Sequence, residues 1–576
     1  MRRTPLLFAG VLALLLAAPA SAASVPAGDG AVNGSPAPGD PTGPFSQNKQ
    51  NEPAMAIDAN HPNIVVAGSN DEIDEEACNA GDPTRCPFTA GVGVSGFYYS
   101  SDSGHHWTQP TYTGYTARFC LGPAACTPTV GPIGTLPGYF ENGLVSDGDP
   151  ALAFGPAPGS DGSFSWANGS RLYYANLTSN FPGKSTFKGF EAIGVSRTDD
   201  AARASTGDPN AWMPPVLVSH QSSTTFSDKE QVWADNAATS PFFGNVYICW
   251  ASFRGQELSP NAAPAPMLVA LSSDGGATWK QQLVSPAANN RNVNPMDGCT
   301  VRTDSKGNAY VFGIARRSGS PAFEFMSVSN DGGKSWSGQT PVVGPVTQPG
   351  LIDPVLGRPT IDGIAGARSD LAPAPSVDIA NGAPDGSGAT DRIVMSYVSG
   401  TIDSIHVYFT ESTDQGATWS TPRAIETGAA DRGYYAAPAI SPDGKNVYVV
   451  YNAFTTRYRD NTTDPRALVG VFLHASVGTS GTGAFTEVHR GASGDPRGSS
   501  QNNLLGEFLG DYVYAVATRT YGTAVWNDAR NAADCPDIDA WRYSLRFGPA
   551  LPRVAPQQQC ATNFGNSNIY GFTTAK

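Results

Sequence analysis

Carboxylates, arginines and tyrosines recur at the borders of the Val-, Ile- and Tyr-rich runs of this chain. Ahead of such runs stand Glu52, Asp147 and Asp149, Asp228 with Lys229 and Glu230, Asp297, Arg368 with Asp370, Tyr434 with Tyr435, and Glu507 with Asp511. Behind them stand Asn70 and Asp71, Arg254, Arg316 and Arg317, Arg457 and Arg459, and Asp528 with Arg530. This mixture suits glycan recognition or cleavage. Two carboxyl groups flanking a glycosidic bond can protonate the leaving oxygen and activate the nucleophile, and a guanidinium grips a carboxylate through parallel N–H groups. The plain alternative is that these groups cap strands and pair with one another. Because they are spread over hundreds of positions, they meet only if the fold gathers strand ends in one place.

A repeat supplies that gathering. Seven times a short apolar run, a turn and a second run rich in Val, Ile and Tyr follow one another: Pro53 to Ser69, Pro150 to Leu177, Gln231 to Phe253, Cys299 to Ala315, Pro375 to Val398, Pro438 to Phe454 and Tyr512 to Asp528. Four segments share the pattern Ser-x-Asp-x-Gly-x-x-Trp, with Asp102, Asp274, Asp331 and Asp414 as its aspartates. Such a segment reads as a hairpin tip, where Asp accepts backbone N–H groups and Gly supplies a left-handed residue, while Trp starts the returning strand and buries its ring.

That pattern is the Asp box, and the chain resembles the Asp-box (BNR-repeat) β-propellers of the sialidase superfamily. The resemblance implies an all-β propeller of four-stranded antiparallel blades, with the seven pairs as inner strands and the Asp boxes as turns between the third and fourth. Seven blades are expected, against six in sialidases themselves. The second and sixth have lost the box, and the seventh runs out at Trp541 to Phe547, so an N-terminal strand from residues 23–50 is expected to close the ring. The propeller then spans 51–547, followed by a C-terminal tail, 548–576, tied by a disulfide.

In a propeller the boxes mark one end of the axis, and residues just before first strands and just after second strands share the other. The expected catalytic set is therefore Glu507, Asp511, Tyr435, Glu230 and Asp297, with Arg254, Arg316 and Arg530 binding substrate. The resemblance implies a Tyr nucleophile assisted by Glu, with arginines on the sugar carboxylate. The stretch ahead of the first box, Asn51-Glu52-Pro53, lacks the family's Arg-Ile-Pro-type arginine, so an arginine triad is not assigned residue by residue. The acid-rich funnel suits a neutral sugar, a basic ligand or Ca²⁺ better; no other cofactor is expected. A glycan-processing hydrolase leads, with a non-catalytic glycan-binding propeller and a polysaccharide lyase as alternatives.

The composition fits export. Among 576 residues, 50 acids against 36 bases give a net charge of −14, which disfavours capture of nucleic acid. Arg2 and Arg3 precede an apolar run ending at Ala20-Ser21-Ala22, a signal-peptide pattern over 1–22. No later run is long and apolar enough to span a bilayer, and a secreted or periplasmic monomer is expected. Eight cysteines suit an oxidising compartment. Cys78 with Cys86 and Cys120 with Cys126 read as local staples, leaving Cys249 with Cys299 and Cys535 with Cys560, although spacing does not determine connectivity. No Walker loop, nucleophile elbow or His-Glu-x-x-His is present.

Overall fold

The computed structural model describes residues 29–32 and 49–575 apart from 87, 221, 255–265, 286–293, 317–320 and 501–502. The expected signal peptide and most of the 23–50 segment lie outside these residues. Seven antiparallel sheets stand around one axis, and the first strand of each packs against the first strand of the next until the seventh meets the first. The chain is therefore a seven-bladed β-propeller.

The seven strand pairs are the inner strands of successive blades. They are Gln50–Ile57 with Val65–Asp71, Ala151–Pro156 with Ser170–Asn180, Thr225–Ala234 with Val246–Arg254, and Asn294–Thr303 with Ala309–Arg316. The last three are Ser376–Ile379 with Ile393–Thr401, Arg432–Ile440 with Asn446–Phe454, and Tyr514–Ala517 with Gly522–Asp528. Each blade packs both faces against its neighbours, burying the second strands almost throughout. Hence they read as continuous apolar runs rather than as an alternating pattern.

The seventh blade corrects the sequence reading. Its third strand is Asn568–Thr573, from the segment expected as a tail, and its outermost strand is Gly30–Ala31. Trp541 to Phe547 belongs to a helix, Pro536–Phe547, inserted between the second and third strands. Proline at the first turn, Asp537 and Asp539 beside it and Arg546 in the last turn suit a helix. Ile538, Trp541 and Arg542 are buried along it, a spacing of three and four that no strand accommodates.

The Asp boxes close hairpins at one end of the axis. In the third blade Ser272 Oγ donates to Asp274 Oδ1 at 2.8 Å and accepts the Gly276 N–H at 2.8 Å. Asp274 also accepts the N–H groups of Ala277 and Thr278 at 3.0 and 2.9 Å and the Thr278 hydroxyl at 2.6 Å. Gly276 has φ 82°. The same bonds recur around Asp331 and Asp414, while at Asp102 His106 replaces the second hydroxyl. These tips dock on the turns between first and second strands, as where Ser103 N–H meets the Asn63 carbonyl at 2.9 Å. Asp274→Ala removes the acceptor for four groups at once and should cost about 1–2 kcal/mol, the scale of a lost cap. Thermal unfolding measures this, and an unchanged melting temperature would refute the turn's role.

Disulfides join Cys78 to Cys86, Cys249 to Cys299 and Cys535 to Cys560. The fourth expected bridge is absent: Cys120 and Cys126 are free cysteines. The two meet as a hydrogen-bonded thiol pair, with the Cys126 thiol pushed up to about 12 by burial and by Cys120.

Candidate functional site

At the end of the axis opposite the Asp boxes, inner strands begin with a bulge. Register shifts interrupt pairing between Asn51 and Ala54, Asp228 and Gln231, Pro295 and Cys299, and Gly433 and Tyr435. Glu52, Asp149 and Lys229 have φ 55°, 51° and 56° there, and Gly298 and Gly510 have 88° and 78°. A left-handed residue other than glycine costs about 1–3 kcal/mol. Three of them around one ring mark where the backbone bends to aim side chains at the axis. At Gly510 a Cβ would lie 2.6 Å from Glu52 Cγ and 2.9 Å from its nitrogen, so the seventh blade reaches the first only through glycine.

Lys229 is the hub of the resulting cluster. Its Nζ lies 2.7 Å from Asp149 Oδ2, 3.0 Å from Asp511 Oδ2, 3.4 Å from Glu52 Oε1 and 4.0 Å from Asp228 Oδ1. Arg368 holds both oxygens of Asp511, with Nε donating at 2.8 Å and Nη2 to the other oxygen. Arg368 also lies 3.7 Å from Glu52. The Tyr435 hydroxyl sits 3.2 Å from Asp511 Oδ1 and 2.8 Å from the Arg368 carbonyl. Asn70 links the first two blades, donating to Glu52 Oε2 and accepting the Asp149 N–H, each at 2.7 Å. A cavity of about 80 Å³ borders the cluster, lined among others by Lys229, Gly298, Tyr435, Asp511 and Tyr512.

The surroundings split the carboxyls into two kinds. Burial alone would raise Asp511, but the charges of Arg368 and Lys229 outweigh it and hold its carboxyl well below the usual range. Lys229 likewise overcomes burial at Asp149. Burial prevails elsewhere: it raises Asp297 to about 7 against the pull of Lys229, and Asp147 to about 7. It also lifts Glu52, Asp228 and Glu230 well above the ordinary value, with Asp149 adding repulsion to each. Tyr435 is raised by burial and by the neighbouring Asp511, so its hydroxyl stays protonated.

Asp511 and Tyr435 therefore stand in the cluster, and Asp297 and Glu230 border it. Glu230 is 3% exposed and neither of its oxygens has a hydrogen-bond partner among the described residues. Glu507 is held elsewhere: Arg542 Nη1 donates to one oxygen at 2.9 Å and the Gly366 N–H to the other at 3.1 Å. The helix that carries Arg542 thus claims Glu507 as a buried support. Arg530 is taken by Asp528 and by Asp29 beside the outermost strand, with Nη2 at 2.6 Å from each, and it stacks 3.9 Å from Tyr570. Arg530 is therefore a clasp on the ring closure. Arg316 is exposed at the end of its strand, and the Arg254 side chain lies outside the described residues. Among the described residues no arginine triad converges, and the cations paired with the cluster's carboxylates are Lys229 and Arg368, both legible as charges ahead of a first strand. Among the described residues no group of three His, Cys, Asp or Glu side chains is disposed to hold a metal ion, so the expected affinity for Ca²⁺ finds no ligand set there.

The carboxyls raised to about 7, Asp147, Asp297, Asp235 and Asp539, make a linked prediction. Each binds its proton more tightly folded than unfolded, so its stabilisation is complete below the unfolded value near 4 and is lost as pH rises towards 7. The Asp-box carboxyls act oppositely: hydrogen bonds led by Ser335 hold Asp331 at about 2, and its contribution disappears only below pH 4. Stability should peak near pH 5 and fall towards pH 8. Urea midpoints across this range measure it, and a maximum at pH 8 would contradict the burial of these groups.

No family model and no curated protein matches the chain. Solved structures overlap it loosely. The Hadza microbial sialidase Hz136 is 12% identical over 70% of this chain and 64% of its own, with a TM-score of 0.39. Trypanosoma rangeli sialidase bound to the inhibitor DANA is 11% identical over 71% and 53%, with a TM-score of 0.35. A protein of unknown function from Dyadobacter fermentans is 12% identical over 75% and 100%, with a TM-score of 0.37. The chain thus spans less than two thirds of either sialidase. Overlaps this loose bring neither site nor activity with them.

Proposed function

We propose that this chain is an exported glycoside hydrolase acting on neutral or amino sugars of extracellular glycans. The observation that carries this reading is the pair Asp511 and Asp297, which face the same lysine with their proton affinities driven apart. Environments that separate two carboxyls in this way assign a base and an acid. Asp297, protonated up to about pH 7, donates to the departing glycosidic oxygen. Asp511, ionised and fixed by Arg368 and Tyr435, takes a proton from the attacking water. The adjoining cavity of about 80 Å³ has room for that water, since a water occupies about 30 Å³. Lys229 and Arg368 are already neutralised by Asp149 and Asp511, so no cation is left over for the carboxylate of an anionic sugar, and sialic acid is disfavoured.

The test is hydrolysis of a panel of chromogenic neutral, amino, uronic and sialic glycosides. Turnover of a neutral or amino glycoside is expected, with kcat/KM falling above about pH 7 as Asp297 loses its proton, and that basic limb should vanish in Asp297→Asn. Turnover of sialosides alone, or none anywhere, would reject this assignment. One observation favours a second reading, a glycan-binding propeller: the cavity is too small for a sugar ring, and Lys229 and Arg368 are satisfied within the cluster. Under that reading glycans bind without being cleaved, and Asp511→Asn leaves affinity intact.

A further inference from the structure

The axis continues beyond the charged cluster. A polar layer crosses it, where the Tyr514 hydroxyl meets Gln231 Oε1 at 3.2 Å and accepts from Arg302 Nη2 at 3.0 Å. Past this layer, towards the Asp-box end, lies a cavity of about 340 Å³. Its apolar wall includes Met55, Ile57, Leu152, Phe154, Ile379 and Ile440, drawn from four blades.

Two guanidinium groups border this space. Arg302 is buried, its guanidinium carbon 4.6 Å from the centre of the Trp233 ring. Its Nε has no hydrogen-bond partner among the described residues and faces Asp378 Oδ1 at 3.5 Å. Arg519 is partly exposed, and its Nη2 donates to the carbonyls of Gly382 at 3.1 Å and Ser387 at 3.0 Å. The nearest carboxylate to Arg519 is Asp385, 3.7 Å away and largely in water. Asp378 balances Arg302, so Arg519 leaves this end of the axis with one positive charge that no buried carboxylate among the described residues neutralises.

Small-ligand sites occupy about 300–1,000 Å³ and combine apolar walls with a few convergent polar groups. An apolar space of about 150 Å³ accepts benzene, so this one holds about two fused rings. We propose that it is a binding site for a small organic monoanion with a flat apolar body, an aryl carboxylate whose rings lie against the apolar wall and whose charge faces Arg519. The polar layer separates it from the cluster around Lys229, so the two sites do not compete for one ligand.

Calorimetric titration of the whole protein with 2-naphthoate tests this, using 2-naphthalenemethanol and 2-naphthylmethylammonium as neutral and cationic counterparts. One naphthoate per chain is expected, with both counterparts at least about tenfold weaker, the scale of one lost charged hydrogen bond. Arg519→Gln should weaken naphthoate by about tenfold while leaving the counterparts unchanged. Ala517→Trp, which fills the cavity, and Thr520→Trp should each abolish binding in folded protein, and either suffices if the other fails to fold. Absence of naphthoate binding, equal binding of the neutral alcohol, or undiminished binding in a folded tryptophan variant would overturn the proposal.

Discussion

Replacing Lys229 by Met should cost about 3–5 kcal/mol, because it strands the buried Asp149 carboxylate, whose only cationic partner among the described residues is this lysine, and leaves Asp511 to Arg368 alone. Lys229 Nζ touches Asp149 at 2.7 Å and Asp511 at 3.0 Å, and the lysine side chain is only 9% exposed. Met keeps most of the volume, so lost packing contributes little. The loss should also depend on pH in a way that lost packing would not. Without the lysine, Asp149 no longer has the charge that holds its proton affinity down against burial. Protonation then relieves the stranded charge, and the variant should recover part of its deficit between pH 8 and pH 5. Urea unfolding at both pH values measures it. A deficit below about 1 kcal/mol, the scale of an exposed ion pair, would mean that the cluster is open to water.

The largest effect on activity is expected at Asp511. Asp511→Asn keeps the shape but loses the charge that accepts the proton, and kcat/KM should fall about 10³-fold, within the range of acid–base catalysis. The companion variant is Glu507→Gln. Its carboxylate supports Arg542 at 2.9 Å, with side-chain exposures of 1% and 0% for the two partners. It should therefore lower stability measurably while the folded fraction keeps wild-type turnover. Circular dichroism separates unfolding from lost chemistry in both variants. If Glu507→Gln abolishes turnover in fully folded protein and Asp511→Asn does not, the base is Glu507 and the assignment made here is wrong.

The inner strands of all seven blades are legible in the sequence alone. Strands packed on both faces must be apolar throughout, so the run from Val447 to Phe454 or from Thr523 to Trp526 is legible without its partners. The box turns are equally local, since Ser272, Asp274, Gly276 and Thr278 satisfy one another within seven residues. The end of the axis where charges gather followed from strand direction. Tertiary structure decided what those charges do. A one-residue bulge reverses which way every later side chain points, and nothing local announces that Glu52, Asp149 and Lys229 adopt left-handed backbone. Whether Asp511 is ionised depends on Arg368, 143 positions away, and on Lys229, which lies farther still along the chain. Glu507 and Arg530 have the residue types of a site, yet an inserted helix and the closing N-terminal strand took them for support. Over such separations pairing follows from how the ring closes, because Coulomb energy depends on distance and burial and not on position along the chain.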